Sequence, residues 1–401
     1  SGMITAAGDV AMTAMAAAQN LTITRSEFGG VIAANLVGIM PTATIGLAWA
    51  TISAANILAA TSVDVDIACE DAADGTGGES TTTDAAISLV LVGDLFGAGL
   101  GLGASTTMTG GSLTTTGTVA LTAVSDLNVS STADGSGGVF GATLGVTEVN
   151  SATLASVDGG SINASGAVTV SSTLTSVISA ASTSTSGGSE DGGGTNQSEK
   201  RLDDANNDGD TKDAANTESG GGSIEFAAAV TVVDYRPTTQ AFIDSDGTIA
   251  SSTAGTVDVS ALATETVTAS ASGINTSDGA KGVGVAVATG IFDTTVSAWL
   301  GGSATYTANT INVSSTLAAG DTYTVTAISG TGDSADTGVA GSFALTFLTT
   351  TVEAYVEAGA SLDLVGANLI LTANSTTSAT TSATPDTDGT NSGAEFGLGA
   401  S

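Results

Sequence analysis

The chain has 401 residues, 54 of them Gly, with only 9 Phe, 4 Tyr, 2 Trp and 3 Pro, and a remainder dominated by Ala, Ser, Thr and Val. Small side chains fill a core only where backbone layers lie close together and repeat, which excludes a wide globule. Six Lys and Arg against 40 Asp and Glu give a formal charge of -34, which repels nucleic acid and anionic lipid, and the lack of His removes Ser-His triads and the commonest zinc ligand.

The chain opens Ser1-Gly2 without an initiator Met or a leader, and "SGMITAAGDVAMTA" matches the second half of a unit that recurs further on. It therefore reads as a processed or excised piece cut out of phase with its repeat, or as a protomer whose ends complete one another. From Phe28 to Val63 there is no charge, over a length that could span a bilayer. Pro41, the many Gly, Ala and Thr, and the fit to the repeat argue for strands instead, so no membrane insertion of this segment is expected. The single thiol, Cys69 in "VDIACEDAAD", can form no internal disulfide and reads as a small strand residue.

A unit of about 55 residues returns along the chain. Weak copies start near Gly29 and Ala85, and clearer ones at Gly138 and Gly221. The clearest open at Gly282, "GVGVAVATGIFDTTVSAWLGG", and at Gly338, "GVAGSFALTFLTTTVEAYVEAG". Ala298-Trp299-Leu300 then matches Ala354-Tyr355-Val356, and Thr310-Ile311-Asn312-Val313 matches Asn368-Leu369-Ile370-Leu371. Within units, stretches such as Thr256-Val257-Asp258-Val259-Ser260 and Tyr323-Thr324-Val325-Thr326-Ala327 alternate apolar and polar residues, the period of a strand with one buried face. Gly-Ser-Asp-Thr clusters between them read as corners. The expectation is an all-β protein, a right-handed parallel β-helix (β-solenoid) that runs as one body over residues 1–401. With three short strands and about 20 residues per coil, and about 4.8 Å between coils, it would be a rod of about 90 to 100 Å.

Residues 186–222 break the repeat with a polar acidic insertion loop, expected on the side of the rod. Inside it Asp204, Asn206, Asp208 and Asp210 alternate around Gly209 like the start of an EF-hand calcium loop, where spaced oxygens converge on one ion. Ala215 stands where a bidentate Glu belongs, which leaves Asp213 or water to complete the shell. Calcium binding and a solvated loop are both open readings of this segment.

Several other features have simpler explanations. Asp244-Ser245-Asp246-Gly247 and Asp386-Thr387-Asp388-Gly389 are ordinary turn chemistry. "GVGVAV" from Gly282 lacks the following helix and Lys-Ser/Thr pair of a phosphate loop and reads as a strand. Asn150, Asp234 and Asp293 occupy similar places in three units, where a polar side chain closes a corner. Asp234-Tyr235-Arg236 gathers the groups that β-helical polysaccharide enzymes use, but no second acid stands nearby in sequence. Phe242, Trp299 and Tyr355 recur at one position, a column for packing rather than for stacking sugars. Asn128, Asn312 and Asn374 open glycosylation sequons.

The "GVGVAVA", "DTTVSAWLGG" and "INVSST" text resembles the repeats of giant bacterial surface proteins, the filamentous-haemagglutinin-like and leukotoxin-type filamentous adhesins. The resemblance covers most of the chain through low-complexity sequence, and implies a secreted or cell-surface β-helical filament with no catalytic residue to transfer. The expected function is an extracellular structural filament or stalk, not an enzyme, whose partner is itself, end to end or laterally. An adhesin segment that binds a glycan or cell-surface ligand is the alternative. A polysaccharide-active enzyme and an ice- or mineral-binding Thr array rank below both.

Overall fold

A computed structural model describes residues 3–25, 29–35, 37–46, 51–72, 85–93, 101–137, 140–186, 224–252, 255–275, 281–331, 337–386 and 394–400. The first coil holds β1 (Met3–Thr5), β2 (Val10–Arg25), β3 (Gly29–Asn35) and β4 (Thr42–Ile45), and the second holds β5 (Thr51–Ala54), β6 (Ile57–Ala72), β7 (Ala85–Gly93) and β8 (Ser105–Met108). Next come β9 (Ser112–Thr115), β10 (Val119–Gly137) and β11 (Phe140–Val157), then β12 (Ser161–Ala164), β13 (Val168–Ser186) and β14 (Ile224–Ser245). They are followed by β15 (Thr248–Ser251), β16 (Thr256–Asn275) and β17 (Lys281–Gly302). The last two coils hold β18 (Thr305–Gly330) with β19 (Thr337–Val356), and β20 (Ser361–Asp386) with β21 (Ala394–Ala400).

Every strand pairing is parallel, and the strands fall into two sheets. One ladder column runs Val10, Ile57, Val119, Val168, Val257, Ile311 and Leu369, one residue from each coil. The second sheet repeats the scheme through Ala86, Gly141, Ala227, Gly284, Ala340 and Gly397. Each coil thus supplies donors and acceptors to the coils on either side, which is how a Gly-rich chain buries its backbone at low cost. The arrangement is all-β and parallel and fits a β-solenoid.

The coil differs from the expected one. Partners in adjacent coils lie between 47 and 62 residues apart, as in the Asn56–Asp9 and Thr118–Asn56 contacts, and further apart only where segment 186–222 is inserted, as Val168 and Val257 are, so one turn consumes a whole unit rather than about 20 residues. In the third to fifth coils its sides are two long strands and one short one rather than three short ones, and in the last two coils the short strand merges into the long one. A 20-residue strand extends roughly 65 Å, and seven rungs stack to about 30 Å, which makes a broad slab in place of a 90 to 100 Å rod. The shorter coil is the usual three-strand form of a parallel β-helix, and local alternation does not show how long a coil is. Glycines inside the long strands let the two sheets close to backbone contact: a Cβ on Gly284 would meet Gly330 O at 2.1 Å and Gly273 O at 2.6 Å. The true corner after the second sheet uses Gly159, Gly160, Gly302 and Gly359 at φ of 114°, 89°, 71° and 112°, a region hostile to side chains.

Between the sheets lie Leu121, Leu127, Val170, Leu174, Ile178, Val259 and Val313 in full burial, with Ala filling the narrow places. Several inward Ser and Thr pair across the gap, as Ser131 with Thr147 and Ser329 with Ser342 do at 2.7 Å. Cys69 lies on β6, opposite Ser131 of β10. The uncharged stretch from Phe28 to Val63 falls largely on β3, β4, β5 and the start of β6, and no helix among the described residues is long and apolar enough to cross a membrane.

Ser186 ends β13, and the rest of segment 186–222 lies outside the described residues, with Asp204, Asn206, Asp208, Asp210 and Asp213. Its flanks are informative. Ser186 pairs with Asn275 and Ile224 with Lys281, and in that next coil five residues, Thr276 to Ala280, join the same two points. Replacing residues 187–223 with Thr-Ser-Asp-Gly-Ala is therefore expected to leave the circular-dichroism spectrum unchanged and move the Tm by no more than about 4 °C, since loop-length changes cost little. Loss of the strand signal would mean that the insertion is part of the core.

Candidate functional site

On the outer surface the sequence candidates separate. Tyr235 turns into the core, and Asp234 accepts two hydrogen bonds from Arg236, from Nε at 2.7 Å and Nη2 at 2.8 Å. The carboxylate is thereby neutralised by its neighbour. In register, Asn150 aligns with Arg236 while Asp234 aligns with Ile291, so Asn150, Asp234 and Asp293 do not form one column. They sit within long strands rather than at a corner.

The aromatic column is real. Phe242 pairs with Trp299 and Trp299 with Tyr355 in the ladder, with ring centroids 4.2 Å and 5.8 Å apart and planes 14° and 1° from parallel. Rings stacked this way cover one another's faces, the surfaces a sugar would need, and stabilise the joint by about 0.5–1.5 kcal/mol per pair. Packing is their evident role. Below them the turn at Asp244-Ser245-Asp246-Gly247 closes on itself and on the previous coil: Ser245 Oγ accepts from Gly247 N at 3.0 Å and donates to Gly160 O at 2.6 Å. Asp158, Asp244 and Asp246 line an open groove there, of about 810 Å³. Two sequon amides are engaged, Asn128 Nδ2 donating to Asp66 at 3.3 Å and Asn312 Nδ2 to Asp258 at 2.5 Å. Gly282 and Gly284 lie on β17, as a strand reading requires.

The most unusual chemistry lies between the sheets. Along β16 the inward positions read Val257, Val259, Ala261, Ala263, Glu265, Val267 and Ala269, so alternation carries a carboxylic acid to full burial. Opposite it the β16–β18 register shifts: Ala263 pairs with Leu317 and Thr266 with Thr322, which leaves Ala318, Ala319, Gly320 and Asp321 facing two residues. This bulge, with Gly320 at φ 112°, turns Asp321 inward to 1% exposure. Asp321 Oδ1 then accepts from Glu265 N at 2.7 Å, in place of the ladder carbonyl that the bulge displaces. From the second sheet Thr294 donates to Glu265 Oε2 at 2.8 Å, and Tyr323 donates to the same oxygen at 2.5 Å. Tyr235 and Ser176 share a hydrogen bond beside them, and Phe292 lies 5.1 Å from the Tyr323 ring.

Glu265 Oε1 and Asp321 Oδ2 have no partner. The one ion pair among the described residues is Arg236–Asp234, so no cationic side chain among them pairs with these acids. Burial, opposed by the Tyr323 and Thr294 hydrogen bonds and reinforced by Asp321, pushes Glu265 up to about 7. Burial likewise pushes Asp321 up to about 6, against the Glu265 backbone bond. Burial and the Glu265 charge hold the Tyr235 and Tyr323 phenols well above their usual range. Sequence reasoning missed this cluster, although its signal was present as an acid at an inward position of an alternating strand, opposite extra residues in the following unit.

What the fold defines is an all-β chain of parallel coils wound into two sheets, with a buried acidic joint between two of its rungs. Comparison with protein-family models, with curated proteins and with solved structures found no match.

Proposed function

We propose that the chain is a segment of an extracellular or cell-surface structural filament or stalk, a right-handed β-solenoid whose repeat of about 55 residues forms one coil. The observation that carries this reading is the parallel ladder column from Val10 to Leu369, with one residue from each of seven coils. Among the described residues β2 pairs only with β6 and β20 only with β18, so each outermost long strand keeps one free edge. Apolar side chains stand open at both ends, Met15 at 81% and Phe347 at 56% exposure. Such edges take another coil, either further along a longer chain or from a second copy end to end. The charge of -34 keeps lateral association weak. Asp234 held by Arg236, and aromatic faces covered by one another, support a structural role over an enzyme or a sugar-binding surface.

Electron microscopy of the native material, with and without a calcium chelator, tests this. Continuous fibres of uniform width are expected, and fibres lost on chelation would assign calcium at Asp204, Asn206, Asp208, Asp210 and Asp213 a joining role. Compact single particles would defeat the filament reading, and isolated short slabs would favour an adhesin segment with a glycan or cell-surface ligand.

A further inference from the structure

We propose that Glu265 and Asp321 form a buried carboxyl dyad that holds one exchangeable proton, so that the joint between β16 and β18 tightens in mild acid and loosens as the proton leaves. Two carboxylates beneath the surface without a cation are too costly to keep both ionised, and a hydrogen ion or a metal ion must neutralise at least one. The oxygen inventory decides between them. A calcium ion takes 6–8 oxygens, whereas only Glu265 Oε1 and Asp321 Oδ2 lack partners here, and the Thr294 and Tyr323 hydroxyls already point their hydrogens at Glu265 Oε2. A proton on either acid removes one of the two buried charges without further ligands. Asp321 sits against the exposed Ala319 and Gly320 of the bulge, so it is the member nearer water and the first to ionise.

The groups that face the dyad are Tyr323 from β18, Tyr235 from β14, Thr294 from β17 and Ser176 from β13, and none is a cation. Both phenols stay neutral through the range in which the dyad titrates. The sign follows from the elevated folded values. A carboxyl that binds its proton more tightly folded than unfolded contributes stability fully present below the unfolded value and lost as pH rises through the folded one. For Glu265 that window runs from 4.5 to about 7, and for Asp321 from 3.8 to about 6. Across it the folded-to-unfolded ratio falls on the order of 100-fold from Glu265 alone. Opening need not be global, because the two-residue excess of the bulge gives the ionised pair a short path to water.

The test compares unfolding of the whole chain from pH 4.5 to 8 with that of Glu265→Gln and Asp321→Asn. The other carboxylates make every variant pH-dependent, so the readout is the difference between proteins. Glu265→Gln is expected to flatten the curve and to exceed the parent in stability at pH 8 while falling short of it at pH 4.5. A second measurement does not depend on a variant folding: in the chain labelled with carbon-13 at Glu and Asp carboxyls, one resonance is expected to titrate near neutrality. Parallel stability curves, or every carboxyl titrating below pH 5, would overturn the dyad. So would calcium stabilising the parent at pH 8 but not Glu265→Gln, since that outcome makes the pair a metal site.

Discussion

Gly302→Val is expected to cost about 3–5 kcal/mol and to unlock the corner it occupies. Gly302 has φ 71°, where a β-branched residue is strained by about 1–3 kcal/mol before any contact is counted. A Cβ there would also stand 2.2 Å from Ser245 O and 2.8 Å from Ser245 N, atoms of the rung below that cannot rotate away. Relief requires the two rungs to part. That breaks the fixed bridge in which the buried Tyr306 hydroxyl shares its one hydrogen between Gly301 O at 2.8 Å and Ile243 O at 3.0 Å, leaving polar groups unpaired. Because coils contact only their neighbours, the damage should stay local, with amide exchange fastest from residue 299 to residue 308 and the distant rung of β6 and β10 protected as before. Gly341→Ala is the control, since a Cβ there meets nothing within 4 Å, and it should fall within about 1 kcal/mol of the parent. Equal effects from the two changes would show that the corner is not conformationally fixed.

The contrast between these glycines marks where the sequence could be read and where it could not. Alternation is a local signal, and it made the strands legible, including the match of Trp299 with Tyr355 and of Ile311 with Leu369 that the ladder reproduces. A recurring unit implied stacked parallel coils, because only parallel pairing puts equivalent residues side by side. Glycine, by contrast, has two meanings that sequence spells alike. At Gly302 it permits a turn, while at Gly284 and Gly273 it lets two sheets meet; coil length is not a local signal, so the usual three-strand coil of about 20 residues stood in for it. The same local reading placed Asp234 with Asn150 and Asp293, two residues out of its column. Glu265 was obscured for a different reason: alternation assigns it inward, and charge assigns it outward. Only the bulge in the next unit, which supplies Asp321 as an acceptor, resolves the conflict in favour of burial.

Phe292→Ala carries the other large expected loss, about 3–5 kcal/mol, as for a buried aromatic ring removed from a tightly packed interior. Phe292 is 1% exposed and lies against Tyr323, whose hydroxyl holds Glu265 Oε2, so the cavity opens beside the acidic joint. Two residues back on β17, Gly290 points to the same interior, and a Cβ on it would lie 2.3 Å from Phe292 Cζ and 2.8 Å from Val325 Cγ2. The glycine and the ring are thus complementary, the missing methyl being the space that the ring fills. Gly290→Ala alone should be destabilising, by about 1–3 kcal/mol, because the ring must leave its well. In the Phe292→Ala background the same methyl enters vacated volume, so the double variant should be more stable than the sum of the singles by at least about 1 kcal/mol. Additivity within about 0.5 kcal/mol would mean that Gly290 is required by Val325 or by the backbone rather than by the ring. Coupling would show that the wide part of the slab is set by a few aromatic side chains, each admitted by a glycine beside it.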